Sequence, residues 1–132
     1  MSAPRTQHLF RFDGTTAVIT GAASGIGNAI ARVFAAAGAE VFILDIDPAA
    51  AEQAARAIIA DSGKATSFQC DVTSQPQVNE VFRAIAALRP LDILVNNAGV
   101  SHIGSIETTT VADFERILRA NVYGMFHCLQ AG

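Results

Sequence analysis

Apolar residues fall in blocks whose spacing switches repeatedly between two periods. TAVIT at 16–20 is a short apolar, β-branched run bounded by Gly14 and Gly21, and VFILD at 41–45 repeats it. Unbroken runs of this length suit strands buried on both faces. Between them Ile26, Ile30, Val33, Phe34 and Ala37 recur at helical spacing and predict a helix packed by that face, with Gly38 as its left-handed C-terminal residue. Asp47 and Pro48 read as the N-cap and first-turn proline of a second helix running to about residue 61. Ser62-Gly63 breaks that helix, and 65–70 predicts a third strand. Ser74 with Gln77 offers a capping box for a third helix ending near Arg89-Pro90, and 91–95 predicts a fourth strand. After a loop over 96–110, a last helix starts near Val111 with an apolar stripe of Phe114, Ile117, Leu118, Val122, Met125 and Leu129.

Four strand–helix alternations without low-complexity segments demand parallel strands joined by right-handed helical crossovers. The predicted fold is a doubly wound α/β parallel sheet, in a domain over 14–132 preceded by a loosely ordered lead-in over 1–13. A chain of 132 residues suffices for one core. Hydrophobic residues make up 51% and charged residues 16%, against roughly 25% charged in an average soluble domain. Part of the surface is therefore expected to be covered by further chain or a partner subunit. The net charge of -3, with nine scattered Lys and Arg, argues against a nucleic-acid partner. Neither a signal-like apolar start nor a membrane-length apolar run occurs, so a cytoplasmic protein without a membrane partner is expected. Cys70 and Cys128 form no C-x-x-C pair and read as reduced, buried thiols; no cluster has metal-ligand spacing.

The chemistry concentrates in Thr20-Gly21-Ala22-Ala23-Ser24-Gly25-Ile26-Gly27, a glycine-rich turn feeding a helix N-terminus. Unpaired backbone N–H groups and the positive end of the helix dipole can hold a pyrophosphate there without a basic side chain. Gly21 permits the sharp turn, Gly25 close approach of the phosphate, and Gly27 close packing of helix on strand; Ser24 and Ile26 stand between them. Asp45 ends the second strand eighteen residues beyond Gly27, near the offset of the acid that binds an adenosine ribose. Its carboxylate accepts both ribose hydroxyls and repels a 2′-phosphate, while Ser24 and Ile46 supply no cation to offset that. A preference for NAD over NADP of about tenfold to a few hundredfold follows. The plainer reading of Asp45 is a surface acid at a strand end; Asp47 reads as a helix cap.

The series T-G-A-A-S-G-I-G at 20–27, Asp71-Val72, and Asn96-Asn97-Ala98-Gly99 resembles that of short-chain dehydrogenases/reductases. The resemblance runs from about Phe12 to the end and matches the first half of a family member. It implies a Rossmann-like fold of which these are the first four strands of a larger sheet. It also implies that Asp71 bonds the adenine amino group, Val72 packs on the adenine ring, and Asn97, Ala98 and Gly99 line the cofactor. An N-cap role for Asp71 and a plain Asn-rich turn at 96–99 stay open beside these. Asn121 interrupts the last apolar stripe, where a buried amide needs a partner. By the resemblance it is the catalytic asparagine whose main-chain carbonyl holds a proton-relaying water, and Gly124 would ease a kink nearby.

The family's catalytic serine, and its tyrosine four places before a lysine, have no counterpart here: Tyr123 is the single tyrosine, and His127 stands four places on. Ser101, His102 and Ser105 follow the Asn-rich segment and read as structural or substrate-side residues. The resemblance therefore implies an NAD-dependent oxidoreductase that moves hydride between nicotinamide and an alcohol or carbonyl substrate. This chain would supply the cofactor-binding half, be inactive alone, and belong to a homo-oligomer, dimer or tetramer. The alternatives are a non-catalytic nucleotide-binding or interaction module, which would leave the fourth strand as an exposed edge, and a methyltransferase-type domain.

Overall fold

The computed structural model describes residues 10–132. Residues 1–9 of the expected lead-in lie outside the described residues. Within its last part, Phe12 packs on Phe34 with ring centroids 5.0 Å apart, and its N–H donates to the Ala37 carbonyl.

The elements follow as β1 (Thr16–Thr20), α1 (Gly25–Ala36), β2 (Glu40–Asp45), α2 (Pro48–Ala60), β3 (Lys64–Gln69), α3 (Gln75–Leu88), β4 (Ile93–Val95) and α4 (Val111–Leu118). A π-helical segment (Arg119–Tyr123) then leads into α5 (Gly124–Ala131). The strands form one sheet in the order β3-β2-β1-β4, and every pairing is parallel. Alternate strand residues serve two cores. Ala17, Ile19, Val41 and Ile43 pack with Ala31, Ala51 and Ile58 on one face. Val18, Phe42 and Leu44 pack with Val78, Phe82, Ile85 and Cys128 on the other, the two-sided burial that unbroken apolar runs demand. The chain crosses sides at β1, so a crevice opens between the C-terminal ends of β1 and β4.

Four details depart from the sequence-based expectation. The buried face of α1 is Gly27, Ala31 and Ala35, whereas Ile26 and Val33 are 74% and 69% exposed. A Cβ on Gly27 would run into the Gly21 carbonyl and the Asn97 amide, so the helix lies too close to the turn for large side chains beneath it. The strand expected over 91–95 begins only at Ile93, because the Asp92 carboxylate takes the Thr16 N–H at 2.8 Å in place of a strand carbonyl. At α3, Ser74 caps the Gln77 N–H, but Gln77 Oε1 accepts from Asp71 N at 2.7 Å rather than from Ser74. The complete capping box is Thr110 with Asp113 at α4, and those bonds hold the Asp113 carboxyl below the usual carboxylate range.

The last helix is not continuous. The Gly124 N–H reaches back five residues to the Arg119 carbonyl, and a Cβ on Gly124 would stand 2.6 Å from Val72 Cγ2. Gly124 thus serves the close approach of α5 to the end of β3 as well as the irregular turn. The inner face of this helical stretch is Ala120, Gly124 and Cys128, while Phe114, Val122, Met125 and Leu129 are exposed. No helix among the described residues is long and apolar enough to cross a membrane.

Candidate functional site

Where β1 stops, Gly21 turns the chain at φ +63°, and a Cβ there would lie 2.9 Å from Ala98 Cα. Gly25 follows at φ +57° with open space where a side chain would be. Both conformations are ones that L side chains rarely adopt. Ser24 is extended at the N-cap of α1 and makes no side-chain cap bond, so the first-turn N–H groups remain available to an anion. The turn is pinned to β2: Ala22 N–H donates to the Leu44 carbonyl at 3.2 Å, and Ala23 N–H donates to Asp45 Oδ2 at 3.1 Å. Asp45 Oδ1 accepts from Asp47 N at 3.1 Å. The carboxylate is therefore oriented by backbone on both sides, while the Asp47 side chain caps α2.

On the β4 side, Thr20 and Asn97 form a reciprocal clamp. Thr20 Oγ1 accepts from Asn97 N at 3.1 Å and Ala98 N at 3.0 Å. Asn97 Nδ2 donates to the carbonyls of Thr20 and Gly21 at 3.0 and 3.1 Å. The segment is thus no plain Asn-rich turn: it binds the two strand ends that frame the crevice. Gly99 packs against Asn121, where a Cβ would stand 2.9 Å from Oδ1. Asn121 finds the partner its position demanded: Oδ1 accepts from Val100 N and Nδ2 donates to Val100 O, both at 2.8 Å. Its side chain fastens the π-helical segment to the loop leaving β4.

At the end of β3, Asp71 is not the N-cap of α3; that place belongs to Ser74. Asp71 Oδ1 instead accepts from the N–H and hydroxyl of Thr73, at 2.9 and 2.7 Å. Val72 is buried beside it.

These pieces surround a groove of about 580 Å3. Gly21, Ser24, Gly25, Ile26, Asp45, Asp71, Val72, Asn97, Ala98 and Gly99 all line it; Gly27 lies behind its wall against Gly21. Asn121 is one residue beyond the lining Ala120 and contacts the groove through Val100. Among the described residues, no Arg or Lys faces it. A bound anion there depends on backbone N–H groups, and two carboxylates, Asp45 and Asp71, mark its far side. This donor set fits a dinucleotide.

Ser101, His102 and Ser105 do not line the groove. Ser105 is bonded within its own loop to Thr108 and Thr109. His102 Nδ1 lies 3.9 Å from Asp113 Oδ1. Cys70 and Cys128 are buried; burial pushes their thiols up to about 12 and about 11, with the charges of Cys128 and Asp71 adding to the rise at Cys70. They stay protonated and inert at neutral pH. Among the described residues no three His, Cys, Asp or Glu side chains gather to hold a metal. Three contributions go beyond what the sequence pattern predicts: the Thr20 hydroxyl in the clamp, the Gln77 side chain on Asp71 N in place of a capping box, and His127 at Val72 O. Thr20 stood inside the motif, but its partner lies 77 residues away.

The chain is 40% identical over 123 residues to the D-threitol dehydrogenase of Mycolicibacterium smegmatis, covering 92% of this chain and 47% of that protein. Among solved structures, the hydroxysteroid dehydrogenase from Escherichia coli superposes with a TM-score of 0.86 at 41% identity, covering 92% of this chain and 52% of that one. The 3-oxoacyl (acyl-carrier-protein) reductase from Agrobacterium tumefaciens C58, with NADP bound, gives a TM-score of 0.88 at 31% identity, covering 96% and 49%. The chain thus spans about half the length of the curated relatives it matches. The short chain dehydrogenase family profile matches residues 15–132, a span that holds both the clamped crevice and the uncapped helix start, and the chain therefore belongs to that family.

Proposed function

We propose that this chain forms the cofactor-binding half of an NAD(H)-dependent oxidoreductase acting on a small-molecule alcohol or carbonyl substrate. Family membership sets aside the methyltransferase-type reading. The residues that would hold the dinucleotide are the first-turn N–H groups of α1 (25–27) at the diphosphate, Asp45 at the ribose, Asp71 and Val72 at the adenine, and Asn97 to Gly99 along the nicotinamide half. The bound nicotinamide would supply the hydride donor or acceptor. Asn121 holds the loop at Val100 against the π-helical segment, in keeping with a place in the proton relay. Without a tyrosine followed four places on by a lysine, these 132 residues bind cofactor but do not turn over substrate. A cytoplasmic homo-oligomer is the assembly this reading favours.

The observation that carries the choice of NAD is the Asp45 carboxylate, aimed by the Ala23 and Asp47 N–H groups into a groove without a cation. Two solved neighbours hold NADP, so the choice rests on Asp45. Calorimetry tests it: NADH should bind more tightly than NADPH by about tenfold or more, and Asp45→Ser should narrow the gap. Equal or tighter NADPH binding would overturn the NAD assignment, and uptake of neither would overturn the cofactor reading.

A further inference from the structure

The segment between β3 and α3 carries the two residues assigned above to the adenine, yet it has left the sheet. Cys70 N–H makes the last ladder-like bond, to the Asp45 carbonyl at 2.8 Å. Val72, two residues on, is buried, and a buried carbonyl needs a donor. The donor comes from α5: His127 Nδ1 stands 2.8 Å from Val72 O. A carbonyl oxygen has no proton to give, so Nδ1 carries it, which fixes the tautomer of the neutral ring. Gly124, three residues earlier and on the same helical face, meets the Val72 side chain, its missing Cβ leaving room for Val72 Cγ2. One helix thus holds one residue twice, by close packing and by a hydrogen bond.

His127 is not in the groove. It lines a second hollow of about 690 Å3 with Arg119 and Tyr123, and Thr73 borders both spaces. The imidazole stands behind the wall whose front is Val72 and Asp71.

We propose that His127 is a positioning residue for the adenosine end of the groove: its Nδ1–H fixes the Val72 carbonyl, and thereby the surface on which an adenine lies. This rests on the reading of the groove as a dinucleotide site. An aliphatic side chain at 127 fills the space but leaves the carbonyl unpaired, so 70–73 loses its set position while the turn at 21–27, held by Leu44 and Asp45, keeps its own.

The two halves of the dinucleotide separate this role from a general structural one. Titrations of the full chain with adenosine monophosphate and with nicotinamide mononucleotide, followed by NMR, should show His127→Leu weakening the adenine nucleotide by about fivefold, the factor for one neutral hydrogen bond. The nicotinamide nucleotide should be unaffected, and His127→Asn, whose amide can donate from nearly the same place, should restore adenine binding. If His127→Leu does not melt cooperatively, His127→Phe keeps the ring volume without the donor and serves the same comparison. Unchanged adenine binding, equal weakening of both nucleotides, or no rescue by asparagine would overturn the role of His127. Uptake of neither nucleotide by the unaltered chain is a different result and would overturn the groove assignment itself.

Discussion

Thr20 is 1% exposed, and its hydroxyl oxygen accepts two backbone N–H groups from the β4 end. Valine matches its shape but accepts nothing, leaving the Ala98 N–H unpaired in a half-buried setting, while the Asn97 N–H keeps the Val95 carbonyl at 3.1 Å. Thr20→Val should therefore cost about 1–3 kcal/mol, the penalty for one orphaned donor. Urea denaturation measures it, and a loss below about 0.5 kcal/mol would show that the clamp contributes little. The glycines of the turn were readable from sequence because their need is local: positive φ at Gly21 and Gly25 belongs to the residue itself. The place of Asp45 on the groove was readable from its offset along the chain. The roles of Thr20 and His127 were not, since each depends on a partner 55 or more residues distant, and neither threonine nor histidine announces such a partner by its type.

For α1 the period was readable and the phase was not. Apolar residues recur at helical spacing, and their size points to the large ones as the inward face; the sheet instead receives Gly27, Ala31 and Ala35, and Ile30 and Phe34 pack only at the flank. The spacing of small residues, four apart, carried the missing signal. Two substitutions test it. Ala31→Leu forces a larger side chain into a fully buried position and should destabilise by about 1–3 kcal/mol. Val33→Lys should stay within about 0.5 kcal/mol. Thermal or urea unfolding checks both, and a reversed order would restore the face first expected. The last helix repeats the lesson: small Ala120, Gly124 and Cys128 face inward, and Gly124 is defined by Val72 across a gap no sequence period reveals.

The parallel sheet and its crevice followed from the alternation of blocks alone, because handed crossovers leave few ways to connect four parallel strands. What the alternation could not give was how much apolar surface stays uncovered. Phe114, Phe126 and Leu129 are 58%, 55% and 62% exposed, and β4, at the rim of the sheet, is partnered on one side. Surfaces of this kind drive association. Sedimentation should show concentration-dependent self-association that Phe126→Glu with Leu129→Glu reduces; a monomer at every concentration would contradict it.

The Thr20–Asn97 clamp bears also on the order in which the molecule assembles. Its residues are 77 apart, whereas β1 meets β2, and β2 meets β3, across 24 residues. Chain closure over the longer span costs about 1 kcal/mol more, and distant contacts form slowly. The central strands can therefore pair early while the crevice waits for β4, so nucleotide uptake during refolding would time the arrival of that final strand.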